Sequence, residues 1–203
     1  VKSAILLAGL YADGETTVME SKTTRDHTEK LLGVMGAQFS IEGNEITLIP
    51  PQNDLSAVDV TVPGDISTAA VWIVVASIHP DAELVLRNVG INETRSGLID
   101  ILRSMGGDIK LENKRYIGGE PVADLTVRSA SLTGVQVNGE LIPRAIDELP
   151  LIALAGAVAD GETVIQDAKE LRVKESDRIK TTFEALSAFG VNIEELDDGL
   201  HVY

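Results

Sequence analysis

Apolar and polar residues follow one another along the chain in an order that repeats three times. Each copy opens with a segment that is apolar around a whole helix, turns, continues as a strand, and adds an amphipathic helix and two short strands. Such a unit predicts a mixed α/β fold of repeats packed against each other, with a further strand preceding each copy. The first helices are predicted at residues 3–12, 65–78 and 146–159, and the second helices at residues 23–36, 92–106 and 175–190.

The second helices are predicted from the spacing of their apolar residues. In the third copy, Ile179, Phe183 and Leu186 recur at intervals of four and three residues, which places them on a single stripe of a helix. Each second helix has an arginine near its start and ends at a glycine, which readily adopts the left-handed conformation that follows a helix. These arginines are Arg25, Arg95 and Arg178, and these glycines are Gly36, Gly106 and Gly190.

The first helices are apolar on every side, which is typical of helices buried within a layer. Trp72 lies in the helix predicted at residues 65–78, so we expect its side chain in the core. Asp65 is expected to cap the start of this helix. The preceding segment, residues 50–65, is rich in turn-forming residues and contains one strand candidate, which places a predicted domain boundary at Pro63–Gly64.

Composition and charge narrow the class of protein. The 203 residues carry a net charge of −15, which argues against a nucleic-acid partner or an anionic membrane surface. The absence of cysteine excludes disulfides and thiolate metal sites, and fits the reducing cytoplasm. We find no cationic leader and no apolar run of membrane-spanning length, so we expect a cytoplasmic protein that does not enter a membrane. Any anionic ligand must then be held by local clusters of arginine and lysine.

Basic and polar residues gather where the second helices begin, in the segments TTRD, NETR and KESDR. Free backbone amides and the positive end of the helix dipole favour anions at such positions. Ordinary capping is the alternative interpretation, since Thr23 with Asp26 resembles a capping box. In the stretch RVKESDR, helical spacing would place Lys174 and Arg178 on one face, with Glu175 beside them. That stretch is either a solvated helix entrance or a catalytic acid held among substrate-binding cations.

Seven segments occur along the chain in the order VKSAILLAGL, TRDHTE, VPGDIS, LRNVGINETR, GGEPVADL, IPRAIDELP and LRVKESDR. In this order they resemble the 5-enolpyruvylshikimate-3-phosphate synthase family (3-phosphoshikimate 1-carboxyvinyltransferase). The resemblance implies the inside-out α/β barrel of the enolpyruvyl transferases, in which two lobes are each built from three βαβαββ units. About three of the six units would then be present, one in residues 1–63 as part of one lobe and two in residues 64–203 as part of the second.

Parts of the family pattern are not found in the sequence. They are the N-terminal segment with its phosphate-binding lysine, serine and arginine, a glycine-rich asparagine-arginine segment, and a late aspartate-histidine-arginine segment. We therefore expect an internal fragment that lacks both ends and binds substrates weakly by itself. The complete protein is expected to be a monomer.

The family joins the enolpyruvyl group of phosphoenolpyruvate to the 5-hydroxyl of shikimate 3-phosphate and releases phosphate, in aromatic amino-acid biosynthesis, without a metal or an organic cofactor. By resemblance, Asp147 matches the aspartate that accepts the hydroxyl proton, and Glu175 matches the glutamate that carries the proton at C3. Lys174 matches a lysine that contacts the shikimate phosphate and the reacting centre, and Arg178 matches an arginine that holds phosphoenolpyruvate. Arg25 matches a residue on the side of the shikimate phosphate. The expected partners are therefore these two small molecules.

Two alternatives remain at this point. The related enolpyruvyl transferase that acts on UDP-N-acetylglucosamine shares the fold and the chemistry, but it lacks the RVKESDR and GGEPVADL segments and typically uses a cysteine, which this sequence does not contain. A non-catalytic repeat scaffold, such as a clamp-like ring, would carry rows of basic residues along its helices. Here the basic residues gather at the helix starts instead.

Overall fold

The structure, a computed structural model, describes residues 1–203. The helices are α1 (Lys2–Gly9), α2 (His27–Val34), α3 (Ile66–Ile78), α4 (Gly97–Ser104), α5 (Leu141–Ala145), α6 (Leu149–Gly156) and α7 (Arg178–Ala188), with a 3₁₀ helix at Lys169–Val173. The strands are β1 (Thr16–Met19), β2 (Gln38–Glu42), β3 (Glu45–Ile49), β4 (Glu83–Gly90), β5 (Asp108–Ile117), β6 (Glu120–Arg128), β7 (Gln136–Val137), β8 (Thr163–Ile165), β9 (Ile193–Leu196) and β10 (Gly199–Val202). No helix combines the length and the apolar character needed to cross a membrane.

The second helices begin later than the sequence pattern predicts. The first turn of α2 is at His27, that of α4 is at Gly97 and that of α7 is at Arg178. The polar residues before each helix form loops, because their short side chains bond to neighbouring segments and to backbone groups instead of continuing the helix. The predicted ends are confirmed, since Gly36, Gly106 and Gly190 have φ angles of 100°, 95° and 83°.

Each copy contributes its own sheet. The strand order is β1-β3-β2 in the first sheet and β4-β6-β5 in the second, with antiparallel neighbours in both. The third sheet has the order β7-β8-β10-β9, in which β7 is a predicted additional strand and pairs in parallel with β8. The repeating α/β architecture therefore follows the sequence pattern.

The strand candidate within residues 50–65 is wrong. Only one parallel bridge, between Gly64 and Val89, connects this segment to a sheet, and Val62 is 83% exposed. Val60 instead lies over the turn between β5 and β6, where a Cβ atom at Gly118 would be 3.1 Å from Val60 Cγ1. Local alternation predicted a strand, but no strand edge accepts the segment.

The first and third copies share nearly the same sequence where their first helix meets their first strand, LAGLYADGET and LAGAVADGET. A Cβ atom at Gly9 would lie 2.8 Å from Thr16 Oγ1, and one at Gly156 would lie 2.8 Å from Thr163 Cβ. A side chain at either glycine would push the helix away from its strand. These two glycines therefore give both copies the same helix–strand packing.

Buried apolar residues form two separate clusters. The larger cluster holds 33 residues, all between Ile66 and Val202. The smaller cluster holds five residues, namely Leu6, Leu32, Ala37, Ile46 and Leu48. The predicted boundary at Pro63–Gly64 falls between the two clusters in sequence, and the division of the chain at this point stays a prediction.

The long helix α3 buries only one of its sides. Ile73 and Val74 are fully buried, whereas Val71 and Trp72 are 46% and 56% exposed. The expectation that Trp72 lies in the core is therefore wrong. One half of the α3 surface packs on the second sheet, and the other apolar half is not covered by any element of this chain. A helix that is apolar on every side is therefore buried here on one side only.

Candidate active site

Three cations converge on the carboxylate of Asp147, which lies in the short connection between α5 and α6. Its Oδ2 atom accepts from Arg25 Nη2 at 2.5 Å, and its Oδ1 atom accepts from Arg178 Nη1 at 3.2 Å. Lys174 Nζ is 3.6 Å from the same Oδ1 atom. The Asp147 side chain is 26% exposed, so these ion pairs lie at the edge of the protein interior.

Glu175 joins the same cluster through Arg178. The Nη2 atom of Arg178 donates to Glu175 Oε2 at 2.5 Å, while its Nη1 atom donates to Asp147. One guanidinium group therefore bridges the two carboxylates that the sequence singled out, although the Glu175 side chain is 77% exposed. The structure thus brings together all five predicted site residues: Arg25, Asp147, Lys174, Glu175 and Arg178.

The stretch RVKESDR is a loop that leads into α7, and the expected helical face shared by Lys174 and Arg178 is wrong. Lys174 has an extended conformation at the end of the 3₁₀ helix. The helix begins only at Arg178, after Asp177 caps it by accepting from the Lys180 backbone N–H. Both cations nevertheless reach Asp147, because the loop turns them toward the same carboxylate.

Arg172 anchors the loop that carries these cations. Its Nη1 atom donates to Asp177 Oδ2 at 2.8 Å and to Glu195 Oε1 at 2.9 Å, and its Nη2 atom donates to the Leu196 carbonyl at 2.6 Å. The carboxylates raise the pKa of the Arg172 guanidinium, with Glu195 having the largest influence. Arg172 therefore connects the loop of the candidate site to β9. It does not contact the cluster itself, so its role is structural.

Arg25 lies before α2, in a segment that does not contain the expected capping box. The Thr23 hydroxyl donates to Asn44 Oδ1 at 3.3 Å, and Asp26 precedes the helix without bonding to its amides. The Asp26 carboxylate instead accepts from Asn92 Nδ2 at 2.6 Å and pairs with Lys30. The capping interpretation of TTRD is therefore wrong, because tertiary partners take the carboxylate.

Asn92 is the centre of a polar clasp made of Asp26, His27, Lys30, Asn92 and Glu120. Asn92 is 3% exposed, and its amide also donates to Glu120 Oε2 at 2.9 Å. The other Glu120 oxygen is 2.6 Å from Nδ1 of His27, the first residue of α2. The clasp fastens the segment that carries Arg25 to the region after the predicted domain boundary.

A second buried network was missed by the sequence analysis. Glu148 is the next residue after Asp147, but its side chain points to the interior. The residue is 3% exposed, and its carboxylate accepts a hydrogen bond from the Ser67 hydroxyl. Arg95 donates to Ser67 Oγ at 2.6 Å and to Asp65 at 3.3 Å. The only available signal was that Arg95 occupies the repeat position of Arg25, and no sequence rule identifies which carboxylate faces inward.

Asp65 caps α3 as predicted, since its carboxylate accepts from the Thr68 backbone N–H at 3.0 Å.

Burial raises the pKa of Glu148, and its hydrogen bond from Ser67 and the charge of Arg95 only partly counter that effect. Two neighbouring carboxyl groups therefore have opposite electrostatic environments, with Glu148 shifted toward its neutral form and Asp147 toward its ionised form.

The Asp147 pKa lies below its ordinary value. Burial acts to raise it, but Arg25, Lys174 and Arg178 together outweigh burial by favouring the ionised form. The Glu175 pKa is also lowered, first by a backbone hydrogen bond and then by Arg178. Both carboxylates are therefore ionised in this state.

An open cleft of about 610 Å³ borders the cluster. Arg25 and Lys174 line it, together with Lys22, Ser3 and Glu20. With Lys2, four cations line the cleft against two carboxylates, those of Glu20 and Glu170. This excess of positive charge suits a ligand that carries several negative charges, such as a sugar phosphate or a carboxylated phosphate ester.

The sequence profile of the EPSP synthase family (3-phosphoshikimate 1-carboxyvinyltransferase) matches residues 1–203. The chain belongs to the EPSP synthase family. The family resemblance carried by the seven sequence segments is confirmed.

Relatives of the EPSP synthase family match along the whole chain. A 3-phosphoshikimate 1-carboxyvinyltransferase from Pelobacter propionicus is 51% identical over 202 residues, which cover 100% of this chain and 47% of the relative. One from Thermosynechococcus vestitus is 51% identical over 203 residues and is covered to 46%. The chain therefore spans about half the length of these relatives.

Solved structures agree with the EPSP synthase fold. The EPSP synthase from Acinetobacter baumannii aligns with a TM-score of 0.93 at 46% identity, over 99% of this chain and 45% of that one. The enolpyruvyl transferase NikO from Streptomyces tendae aligns with a TM-score of 0.67 at 20% identity, over 97% of this chain and 44% of that one, which shows a shared fold only. The expected enolpyruvyl transferase fold is confirmed, with roughly half of it present.

The polar clasp of this EPSP synthase family member predicts a pH effect on stability. Burial acts to raise the Asp26 pKa, but the hydrogen bonds from Lys30 and Asn92 outweigh burial and hold the pKa below its ordinary value. A lowered pKa contributes stability that is present above the unfolded-state pKa and is lost as the pH falls through the folded-state value. We therefore expect Asp26→Asn to cost about 1 kcal/mol of unfolding free energy at pH 7, and expect the difference to shrink below about pH 4.

Urea unfolding at pH 7, 5 and 3.5 measures this effect, with Asp13→Asn as the matched control, since Asp13 is exposed. The control is expected to follow the parent at every pH. If the stability difference between the parent and Asp26→Asn is the same at pH 7 and 3.5, the clasp carboxylate does not contribute in the expected way.

Proposed function

We propose that the protein containing this chain transfers the enolpyruvyl group of phosphoenolpyruvate to the 5-hydroxyl of shikimate 3-phosphate and releases phosphate. The observation that carries the proposal is the bridge of one guanidinium, Arg178, between Asp147 and Glu175, beside a cleft lined by cations. Relatives that are about half identical over the whole chain carry the name of this activity, which supports the proposal.

In the proposed mechanism two carboxylates handle the protons. Asp147 accepts the proton of the 5-hydroxyl as its oxygen bonds to C2 of phosphoenolpyruvate. Glu175 takes up a proton from solvent once the bound anions offset the charge of Arg178 and raise its pKa, and it delivers that proton to C3. The resulting tetrahedral intermediate then returns a C3 proton to Glu175 and expels phosphate, which restores the double bond. General acid–base catalysis of this kind needs two groups within reach of one reacting centre, and the Arg178 bridge supports that assignment.

The cations hold the substrates in this proposal. Arg178 binds phosphoenolpyruvate, Lys174 contacts the shikimate phosphate and the reacting centre, and Arg25 lies on the side of the shikimate phosphate. Charge-assisted hydrogen bonds from arginine to phosphate and carboxylate groups are strong and directional, which suits substrates with two phosphates and one carboxylate. The partners are thus the two small molecules, and the proposed location is the cytoplasm.

A phosphate-release assay on the whole encoded protein tests the proposal. Phosphate is expected only when phosphoenolpyruvate and shikimate 3-phosphate are both present, and not when UDP-N-acetylglucosamine replaces shikimate 3-phosphate. Because the relatives are about twice as long as this chain, the 203-residue chain alone is expected to be much less active. Phosphate release that does not depend on shikimate 3-phosphate would contradict the proposed substrate.

A further inference from the structure

The candidate site neutralises its own charge. Three cations and three carboxylates form one connected cluster, in which every cation is already paired. Lys174 contacts both Asp147 and Glu170, the latter at 3.5 Å, while Arg178 contacts Asp147 and Glu175. Arg25 completes the cluster through its bond to Asp147.

Asp147 is the common partner within this cluster. It contacts all three cations, whereas Glu170 and Glu175 each contact one. The cations come from different parts of the chain, since Arg25 is separated from Asp147 by 122 residues. A single carboxylate therefore holds together the groups that an anionic substrate would have to use.

An anion that enters the cleft meets Arg25 and Lys174, which are both already paired with Asp147. Ion pairs between partly exposed groups are individually weak, so a phosphate with two negative charges is able to displace a carboxylate with one. The cation that loses Asp147 gains a stronger partner, and Asp147 loses the charges that stabilise its ionised form.

We propose that Asp147 is the internal counter-ion of the anion site, and that binding of the substrate anions to Arg25, Lys174 and Arg178 releases its carboxylate to act as the base. This inference rests on the proposed function, because it supplies the trigger for the base which that function requires. It adds that the base is unavailable until the anions are in place.

The electrostatic surroundings of Asp147 support the order of events. The groups that face it are Arg25 before α2, Lys174 after the 3₁₀ helix, and Arg178 on α7, while Glu148 is next to it in the chain. Glu170 and Glu175 act through their cations. Burial favours the neutral form of Asp147 and only the cations keep its pKa low, so their transfer to substrate raises the pKa and makes the carboxylate a stronger base.

Isothermal titration of inorganic phosphate and of phosphoenolpyruvate into the whole encoded protein tests the proposal. Asp147→Asn keeps the shape of the side chain but removes the competing charge, so we expect both anions to bind about three- to tenfold more tightly. Asp13→Asn removes the same charge from an exposed position away from the cleft and is expected to leave both affinities unchanged.

Glu175→Gln provides a second test that does not depend on the folding of the first variant, because the Glu175 side chain is largely exposed. It removes one of the three carboxylates and is expected to give about a twofold gain in phosphate affinity. Equal or weaker phosphate binding by Asp147→Asn overturns the inference, and if that variant does not fold, the absence of a gain in Glu175→Gln overturns it.

The failure of this inference is distinguishable from failure of the proposed function. If the parent releases phosphate from both substrates while the variants bind anions no more tightly, the counter-ion is wrong and the enzyme activity stands. If the variants bind anions more tightly but the parent shows no turnover, the counter-ion stands and the proposed function is wrong.

Discussion

Replacing Asp147 by asparagine in the whole encoded protein is expected to lower turnover with phosphoenolpyruvate and shikimate 3-phosphate by roughly 100- to 10,000-fold. Asparagine has nearly the same shape as aspartate but does not accept the hydroxyl proton, so the loss falls on the chemical step. Since the same change is expected to strengthen anion binding, turnover falls while KM for phosphoenolpyruvate does not rise. Steady-state phosphate release measures both quantities.

Two further variants show whether the loss of turnover comes from the carboxylates of the candidate site. Glu175→Gln is expected to lower turnover to a similar extent, because the proton at C3 has no other carrier in the proposed mechanism. Asp13→Asn changes the net charge equally, and turnover is expected to match that of the parent. Turnover of Asp147→Asn within about a factor of ten of the parent, below the range of general acid–base catalysis, would remove Asp147 from its proposed role.

The second large effect is expected at Lys2, on the first turn of α1. Its ammonium group pairs with Glu29 at 2.7 Å and with Glu20 at 3.1 Å, and the side chains of the three residues are 9%, 5% and 8% exposed. The second oxygen of Glu29 is buried without a partner, so the carboxylate depends on Lys2. Lys2→Met leaves two carboxylates buried without their cation, and we expect a loss of about 3–5 kcal/mol of unfolding free energy.

Chemical denaturation followed by circular dichroism measures this loss. Lys22→Met is the control in the same region, because Lys22 is exposed and its replacement is expected to change stability by less than about 0.5 kcal/mol. The triple variant Lys2→Met, Glu20→Gln, Glu29→Gln removes all three charges together and is expected to recover most of the loss. A stability of Lys2→Met equal to that of Lys22→Met would show that the buried triad contributes little.

The fold was largely predictable because its elements have strong local signals. Hydrophobic periods of the helix and strand types gave the order of elements in all three copies, and Gly36, Gly106 and Gly190 marked the helix ends. Boundaries failed where polar side chains found distant partners, as Asp26 did with Asn92. The prediction that Trp72 is buried failed for a related reason, since the exposure of its side chain depends on which elements cover α3.

The candidate site was predictable in its residues but not in its geometry. The resemblance in the stretches RVKESDR and IPRAIDELP selected Lys174, Glu175, Arg178 and Asp147, and the structure brings them together. Helical spacing was the wrong explanation for the shared direction of Lys174 and Arg178, because both side chains are oriented by a loop. The bond from Arg25 to Asp147 crosses 122 residues and has no local signal.

The sequence by itself determined the repeated order of helices and strands, the glycines that end the second helices, and the types of residue at the candidate site. The order of elements and the helix ends depend on the period of apolar residues and on backbone preferences that act over a few neighbouring positions, whereas the site residues were selected by the family resemblance. Only the tertiary structure decided that Asp147 faces three cations while the adjacent Glu148 faces Ser67 in the interior. Asp147 and Glu148 are adjacent acidic residues, and nothing in the neighbouring sequence distinguishes them. Their surroundings differ because the packing of the units places one carboxylate among the cations and the other in the interior.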